Sequence, residues 1–278
     1  MKYWDVVYCK AFEPAKKVYF IYEKSQNRVY TKTVGENGFE YFMDHVGTNK
    51  WAGRTIRMSC KDGTEPHMIL NQKSQSLWYV SLLRPDFVFE IKKVHGDIIN
   101  DHQVLPNNRV LMMSKDGWLI LYRYNPDTST SIVLDKFKLD IKEEKDEQVT
   151  TLSIGPYHST IAVNTRTESG IYLMRLFVLT IDKGTELYLR DELNLYDGKT
   201  KYFCAISFYD KFGDVLVFNA ITMSNPTLVY SFSFDGEKVR EFKERKSIPG
   251  NRSRRLVSVG TKLMSIDDDG NIIKIYYK

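Results

Sequence analysis

Cysteine is scarce in this chain. Three residues, Cys9, Cys60 and Cys204, stand far apart with no Cys-x-x-Cys spacing. That argues against a disulfide framework and against a zinc site, and it predicts a reducing compartment, cytoplasmic or nuclear. The five histidines (His45, His67, His95, His102 and His158) form no His-x-x-x-His pair, so helical metal spacing is missing too. There is no Gly-x-Ser-x-Gly elbow and no glycine-rich phosphate loop. No apolar run approaches the about 18 residues that span a bilayer, so no membrane association is expected. The segment Met1 to Cys9 carries an acid and no long apolar stretch, which predicts that it is not a secretory leader. The one acid-rich turn, Asp267-Asp268-Asp269-Gly270, fails as a calcium loop. Counted from Ser265, the twelfth position that needs a bidentate acid is Tyr276. The expectation is a chain without metal or cofactor, and not an enzyme.

What is present is rhythm. Two strand-like runs flank a short polar turn six times, roughly every 50 residues. The clearest copy is Val110-Leu-Met-Met-Ser-Lys-Asp-Gly-Trp-Leu-Ile-Leu-Tyr122, and the last is Lys262-Leu-Met-Ser-Ile-Asp-Asp-Asp-Gly-Asn-Ile-Ile-Lys-Ile-Tyr276. Both place Asp-Gly between β-branched, apolar or aromatic runs, a short-range hairpin signal. Around these hairpins further runs complete groups of four, such as Thr55 to Ser59 before His67 to Asn71 and Phe87 to Ile91 after Ser76 to Leu83. Only 38–46 and 142–148 have room for a turn or two of helix. The second of these, Lys142-Glu-Glu-Lys-Asp-Glu-Gln148, has no apolar face and reads as a solvated loop.

Strand, turn, strand, Asp-Gly, strand resembles a WD-repeat β-propeller. The best matches are Leu111 to Tyr122, Val149 to Val163 and Leu263 to Tyr276, with Tyr122 and Tyr276-Tyr277 standing where that family usually has Trp. The resemblance implies an all-β fold over residues 1–278, one domain of about six four-stranded blades. Gly35 to Glu65 is long enough for a seventh. The last unit shows three strands, so Trp4 to Cys9 is expected to pair with Asn271 to Tyr277 and close the ring.

The net charge of +5 is modest, but it is concentrated. Lys238, Arg240, Lys243, Arg245, Lys246, Arg252, Arg254 and Arg255 face only Glu241 and Glu244 within one segment. Such a segment raises the local potential and speeds encounter with an acidic partner. The resulting expectation is a non-catalytic protein-protein interaction scaffold within a larger assembly. Its candidate contact residues are Trp51, Arg54, Trp118, Tyr157, Arg245, Arg252 and Arg254, because exposed aromatics and arginines dominate interface energetics. The alternative is a nucleic-acid-associated propeller, resting on the basic segment alone. An enzyme with its site at the channel mouth has no local motif behind it.

Overall fold

The structure, a computed structural model, describes residues 3–13, 16–23, 28–33, 40–44, 55–59, 67–71, 76–81, 88–92, 99–114, 116–125, 127–128, 130–142, 146–155, 159–167, 174–194, 203–212, 215–222, 227–241, 246–248, 253–259, 262–267 and 272–277. These residues are almost entirely antiparallel β-strand. The first sheet holds β1 (Tyr3–Glu13), β2 (Lys16–Glu23), β3 (Arg28–Thr33) and β4 (Glu40–Asp44). The second holds β5 (Thr55–Ser59), β6 (His67–Asn71), β7 (Ser76–Ser81) and β8 (Val88–Lys92). The third holds β9 (Ile99–Leu105), β10 (Arg109–Ser114), β11 (Trp118–Asn125) and β12 (Thr130–Lys138). The fourth holds β13 (Glu147–Ile154), β14 (Thr160–Thr167), β15 (Met174–Asp182) and β16 (Glu186–Asn194).

The fifth sheet holds β17 (Phe203–Phe212), β18 (Val215–Thr222), β19 (Thr227–Phe234), β20 (Val239–Glu241) and β21 (Lys246–Ile248). Here β20 and β21 both pair with β19, on different stretches of it. The sixth sheet has β22 (Ser253–Val259), β23 (Lys262–Asp267) and β24 (Ile272–Tyr277). The first strands of the sheets are neighbours in order, from β1 to β5, β9, β13, β17 and β22, and β22 also lies beside β1.

Strand alternation explains the packing. On β10, Leu111 and Met113 enter one core while Val110 and Met112 enter another. On β11, Leu119 and Leu121 go with the first set, and Ile120, Tyr122 and Tyr124 with the second. Both faces of the sheet are covered here, so β10 is buried throughout and its central residues Val110 to Met113 are apolar without alternation. The first cluster joins the third and fourth sheets through Ile161, Val163, Phe177, Leu179 and Ile181.

Two expectations are corrected. β1 does not supply a strand to the sixth sheet. It pairs with β2 in the register Val6↔Ile21, Val7↔Phe20, Tyr8↔Tyr19, and no pairing with β24 occurs among the described residues. The reason is loop entropy: β1 and β2 are separated by Pro14 and Ala15 alone, and closing so short a loop costs far less than joining the two ends of the chain. The stretch 38–46 contains strand β4 rather than a helical turn, and its Tyr41 and Phe42 suit a pleated sheet. Within Gly35 to Glu65 the described residues supply the outer strand of the first sheet and the first strand of the second.

Candidate interaction surface

Trp118 is the one candidate contact residue whose surroundings the structure describes. It opens β11 behind the tight turn that the Asp-Gly signal predicts. Gly117 has φ +92°, and a Cβ there would stand 3.2 Å from Ile141, so only glycine fits the turn without strain. The turn is fastened by Gly117 N–H donating to the Ser114 carbonyl at 3.2 Å and by Trp118 N–H donating to Ser114 Oγ at 3.0 Å. The indole is half-buried against the Val104, Val110, Met112 and Ile120 cluster. Lys138 Nζ lies 5.6 Å from its ring centroid and 3.4 Å from Asp116 Oδ2. Trp118 is therefore partly a packing residue and partly a rim residue capped by a cation.

Trp51, Arg54, Tyr157, Arg245 and Arg252 lie outside the described residues. Arg254 lies on β22 as the extra residue of a bulge, between the pairs Ser253↔Asp267 and Arg255↔Ile266. The basic segment is not one strand edge. Lys238 and Arg240 belong to the outer strand region of the fifth sheet, whereas Arg254 belongs to the first strand of the sixth. The Arg240 side chain is 74% exposed and stands 3.8 Å from Asp235, so it projects into solvent with its charge only loosely paired.

The outer strands also present apolar side chains that sequence reading missed: Ile132 on β12 is 58% exposed, and Tyr188 and Leu189 on β16 are 45% and 41% exposed. An apolar residue among charged ones on a strand does not by itself show which face it takes, so the sequence did not single these residues out. Tyr188 donates to Glu186 at 2.9 Å and lies under the Arg190 guanidinium, whose carbon is 5.6 Å from the ring centroid. Arg190 in turn reaches Asp182 at 2.6 Å.

A repeated polar device positions these outer strands. Asp135 follows an extra residue, Leu134, in the register of β12 against β11. Its Oδ1 accepts from Lys136 N–H at 2.8 Å, and its Oδ2 accepts from Leu187 N–H of the next sheet at 2.7 Å. Asp191 does the same after Arg190: its Oδ1 takes Glu192 N–H at 2.9 Å, and its Oδ2 takes Val239 N–H at 2.7 Å. Asp101 on β9 repeats it after Asn100, with His102 N–H at 2.9 Å and Leu152 N–H at 3.1 Å. A bulge bends the strand and re-aims the following side chain, here toward the neighbouring sheet. Asp5, in the chain's single Trp-Asp pair, holds the same register position on β1 after Trp4. Replacing Asp135 or Asp191 by Ala strips a partly buried N–H of its acceptor. Each change should lower the unfolding free energy by about 1–3 kcal/mol in urea titration, and the two losses should add because the sites share no partner.

The most strongly polar buried group joins β13, β14 and β15. Arg175 Nε donates to Glu147 Oε1 at 2.8 Å and its Nη2 donates to Oε2; Thr165 Oγ1 also donates to Glu147, and Lys142 N–H donates to Oε2 at 2.6 Å. Arg175 further binds the Glu192 carboxylate and the Asp140 carbonyl. Burial by itself would raise the Glu147 pKa. The hydrogen bonds from Arg175, Thr165 and the Lys142 backbone outweigh it and hold the carboxyl below its ordinary value.

That shift fixes a pH dependence. A carboxyl depressed in the folded state adds stability above its unfolded value, and the contribution is lost as pH falls through the folded value. The stability gap between wild type and Glu147→Gln should thus be full at neutral pH and narrow below about pH 4, the unfolded glutamate range. Urea titrations of both proteins across that range measure it.

Among the described residues no cluster of three or more His, Cys, Asp or Glu side chains could hold a metal ion. No helix among them is long and apolar enough to cross a membrane.

No protein-family model matches this chain, and a comparison with curated proteins gives no match. Solved structures do resemble it. Chaetomium thermophilum Raptor aligns with a TM-score of 0.64 at 13% identity over 99% of this chain, which spans 23% of that longer protein. A chain of the S. cerevisiae structure of Dbp5 bound to Nup159, Gle1, IP6 and ADP aligns with a TM-score of 0.56 at 11% identity, over 96% of this chain and 74% of that one. The β-propeller domain of Myceliophteria thermophila Cps50 (Swd1) aligns with a TM-score of 0.58 at 10% identity, over 97% and 82%. At such identities the likeness is one of fold: the antiparallel sheets of this chain are similar to those of a β-propeller domain.

Proposed function

We propose that this chain is a divergent WD-repeat-like propeller of six blades that acts as a non-catalytic protein-protein interaction scaffold in a multiprotein assembly. The carrying observation is the likeness, over 97% of the chain, to the β-propeller domain of Cps50 (Swd1), beside a likeness over 96% of the chain to a structure solved with several proteins bound together. Six sheets with neighbouring first strands, and β22 beside β1, support the blade number. The chemistry of the described interior supports the non-catalytic part. Its buried carboxylates Asp101 and Glu147 are committed to structural N–H and guanidinium donors. Glu147 is moreover pushed down in pKa, opposite to the direction a general acid at neutral pH requires. Scarce cysteine supports a cytoplasmic or nuclear setting.

The contact surface in this reading combines the basic residues Arg245, Arg252 and Arg254, directed at an acidic protein partner, with the exposed outer-strand side chains. Capture of the tagged chain from native extract, with and without nuclease, tests it. Protein partners retained after nuclease support the scaffold. A chain recovered alone, or partners lost on digestion, defeats it, the latter in favour of nucleic acid. In this reading the three arginines face a partner rather than the core, so reversing Arg245, Arg252 and Arg254 to Glu together should leave folding nearly unchanged. The same triple variant should slow association with the captured partner and flatten its salt dependence, as read by stopped-flow or surface binding.

A further inference from the structure

The sixth sheet stands out. Every other sheet has a fourth strand outside its third, formed by β4, β8, β12, β16 and the β20/β21 pair, while among the described residues β24 has a partner on one edge only. Its own composition is that of a covered strand. Ile272-Ile273-Lys274-Ile275-Tyr276-Tyr277 has a single charge and no proline. The third strands of three other sheets carry similar apolar runs, Leu77-Trp78-Tyr79-Val80, Trp118-Leu119-Ile120-Leu121 and Leu228-Val229-Tyr230. The outermost strands read differently: β12 carries Asp135, Lys136 and Lys138, and β16 carries Glu186, Arg190, Asp191 and Glu192. Charge on an outermost strand is the usual guard of an open edge, and β24 has almost none. The segment that sequence reading assigned to this edge, Trp4 to Cys9, is occupied with β2.

We propose that β24 is an acceptor edge that takes an extended strand from a partner protein, completing the sixth sheet by β-augmentation. The proposal rests on the scaffold reading and names the mode of attachment. Main-chain hydrogen bonds along β24 would supply affinity, and alternate side chains of the incoming strand specificity. The other outer strands define its chemistry. The strand is antiparallel to β24, at least about five residues long, and apolar at alternate positions. It carries a central aspartate, because Asp135 and Asp191 on the corresponding strands bind an N–H of the next sheet's outer strand. Because β22 lies beside β1, the outer strand next in order to the sixth sheet would be β4.

The probe is a peptide copying residues 130–138 of this chain, with Val133→Pro and Asp135→Ala versions. Hydrogen exchange of the whole chain is followed by mass spectrometry. The free chain should show alternate amides of 272–277 exchanging fast, and saturating peptide should slow them by about tenfold or more. The Pro version should give no protection, and the Asp135→Ala version less. To read a weak strand affinity, the same segment is also attached beyond Lys278 through a flexible Gly-Ser linker, where the effective concentration reaches about millimolar. That fusion should melt higher than the parent chain, and its Pro version should not.

Three results would overturn the proposal: β24 amides already as slow as those of β23 in the free chain, protection appearing only elsewhere, or no effect of either the free or the attached strand. These readouts use the purified chain alone. A chain that proves solitary in native extract would sink the scaffold reading while leaving the edge measurement intact, and the reverse also holds.

Discussion

Replacing Arg175 by Ala should cost about 3–5 kcal/mol of unfolding free energy, the loss expected when one member of a buried ion pair is removed. The reason lies in what stays behind. The Glu147 side chain is 0% exposed and Arg175 only 6%, so water cannot take over the role of the guanidinium. Glu147 would keep Thr165 and the Lys142 amide as donors but lose both arginine bonds. The Asp140 carbonyl and Glu192 would lose theirs as well, loosening the connection from β12 to β13 and the edge of the fourth sheet. Arg175→Lys should recover only part of the loss, because an ammonium cannot present the planar fork that spans two carboxylates and a carbonyl. The double replacement Glu147→Leu with Arg175→Met should come out far milder than Arg175→Ala, since it leaves no buried charge unpaired. Urea titration of the three variants beside the wild type measures this. A loss below about 1 kcal/mol for Arg175→Ala would show that the pair is solvated, as surface bridges are.

Phe177→Ala should cost a similar amount, about 3–5 kcal/mol, through a different mechanism. Phe177 is fully buried in the cluster that joins the third and fourth sheets. Truncation leaves a cavity between two sheets whose backbones are held in register by their own ladders and cannot close onto it. Phe177 also carries the Arg175 guanidinium 4.8 Å from its ring centroid. Its removal should therefore couple to Arg175: the double variant should lose less than the sum of the two single losses. Phe177→Leu should be milder, because most of the volume is kept. Equal losses for Leu and Ala would mean that the ring, rather than its volume, is what the site needs.

Local patterning is enough to mark the strands. Lys115-Asp116-Gly117 between two apolar runs predicted a hairpin, and the turn forms because glycine alone tolerates φ +92° beside Ile141. The six hairpins lie where the rhythm of the sequence places them. Charge patterning marked the segment from Lys238 to Arg255 as basic, a property of composition that needs no fold. What periodicity could not express is which strand pairs with which across the ends of the chain. Alternation does not name a strand's partner, so Trp4 to Cys9 was assigned to the last sheet, whereas the structure pairs it with β2.

The aspartate links between sheets and the Arg175–Glu147 pair were equally invisible, and for a physical reason. Asp101 meets Leu152 across 51 positions of sequence, Asp135 meets Leu187 across 52, and Asp191 meets Val239 across 48. Each contact depends on a one-residue bulge that turns a carboxylate toward the next sheet. Element type, the turns and the position of the basic segment follow from residues within a few positions of one another, and so are legible along the chain. Strand partnership, the order of strands within a sheet and the pairing of buried charges are settled in the fold, because they depend on the stacking of sheets about fifty residues apart.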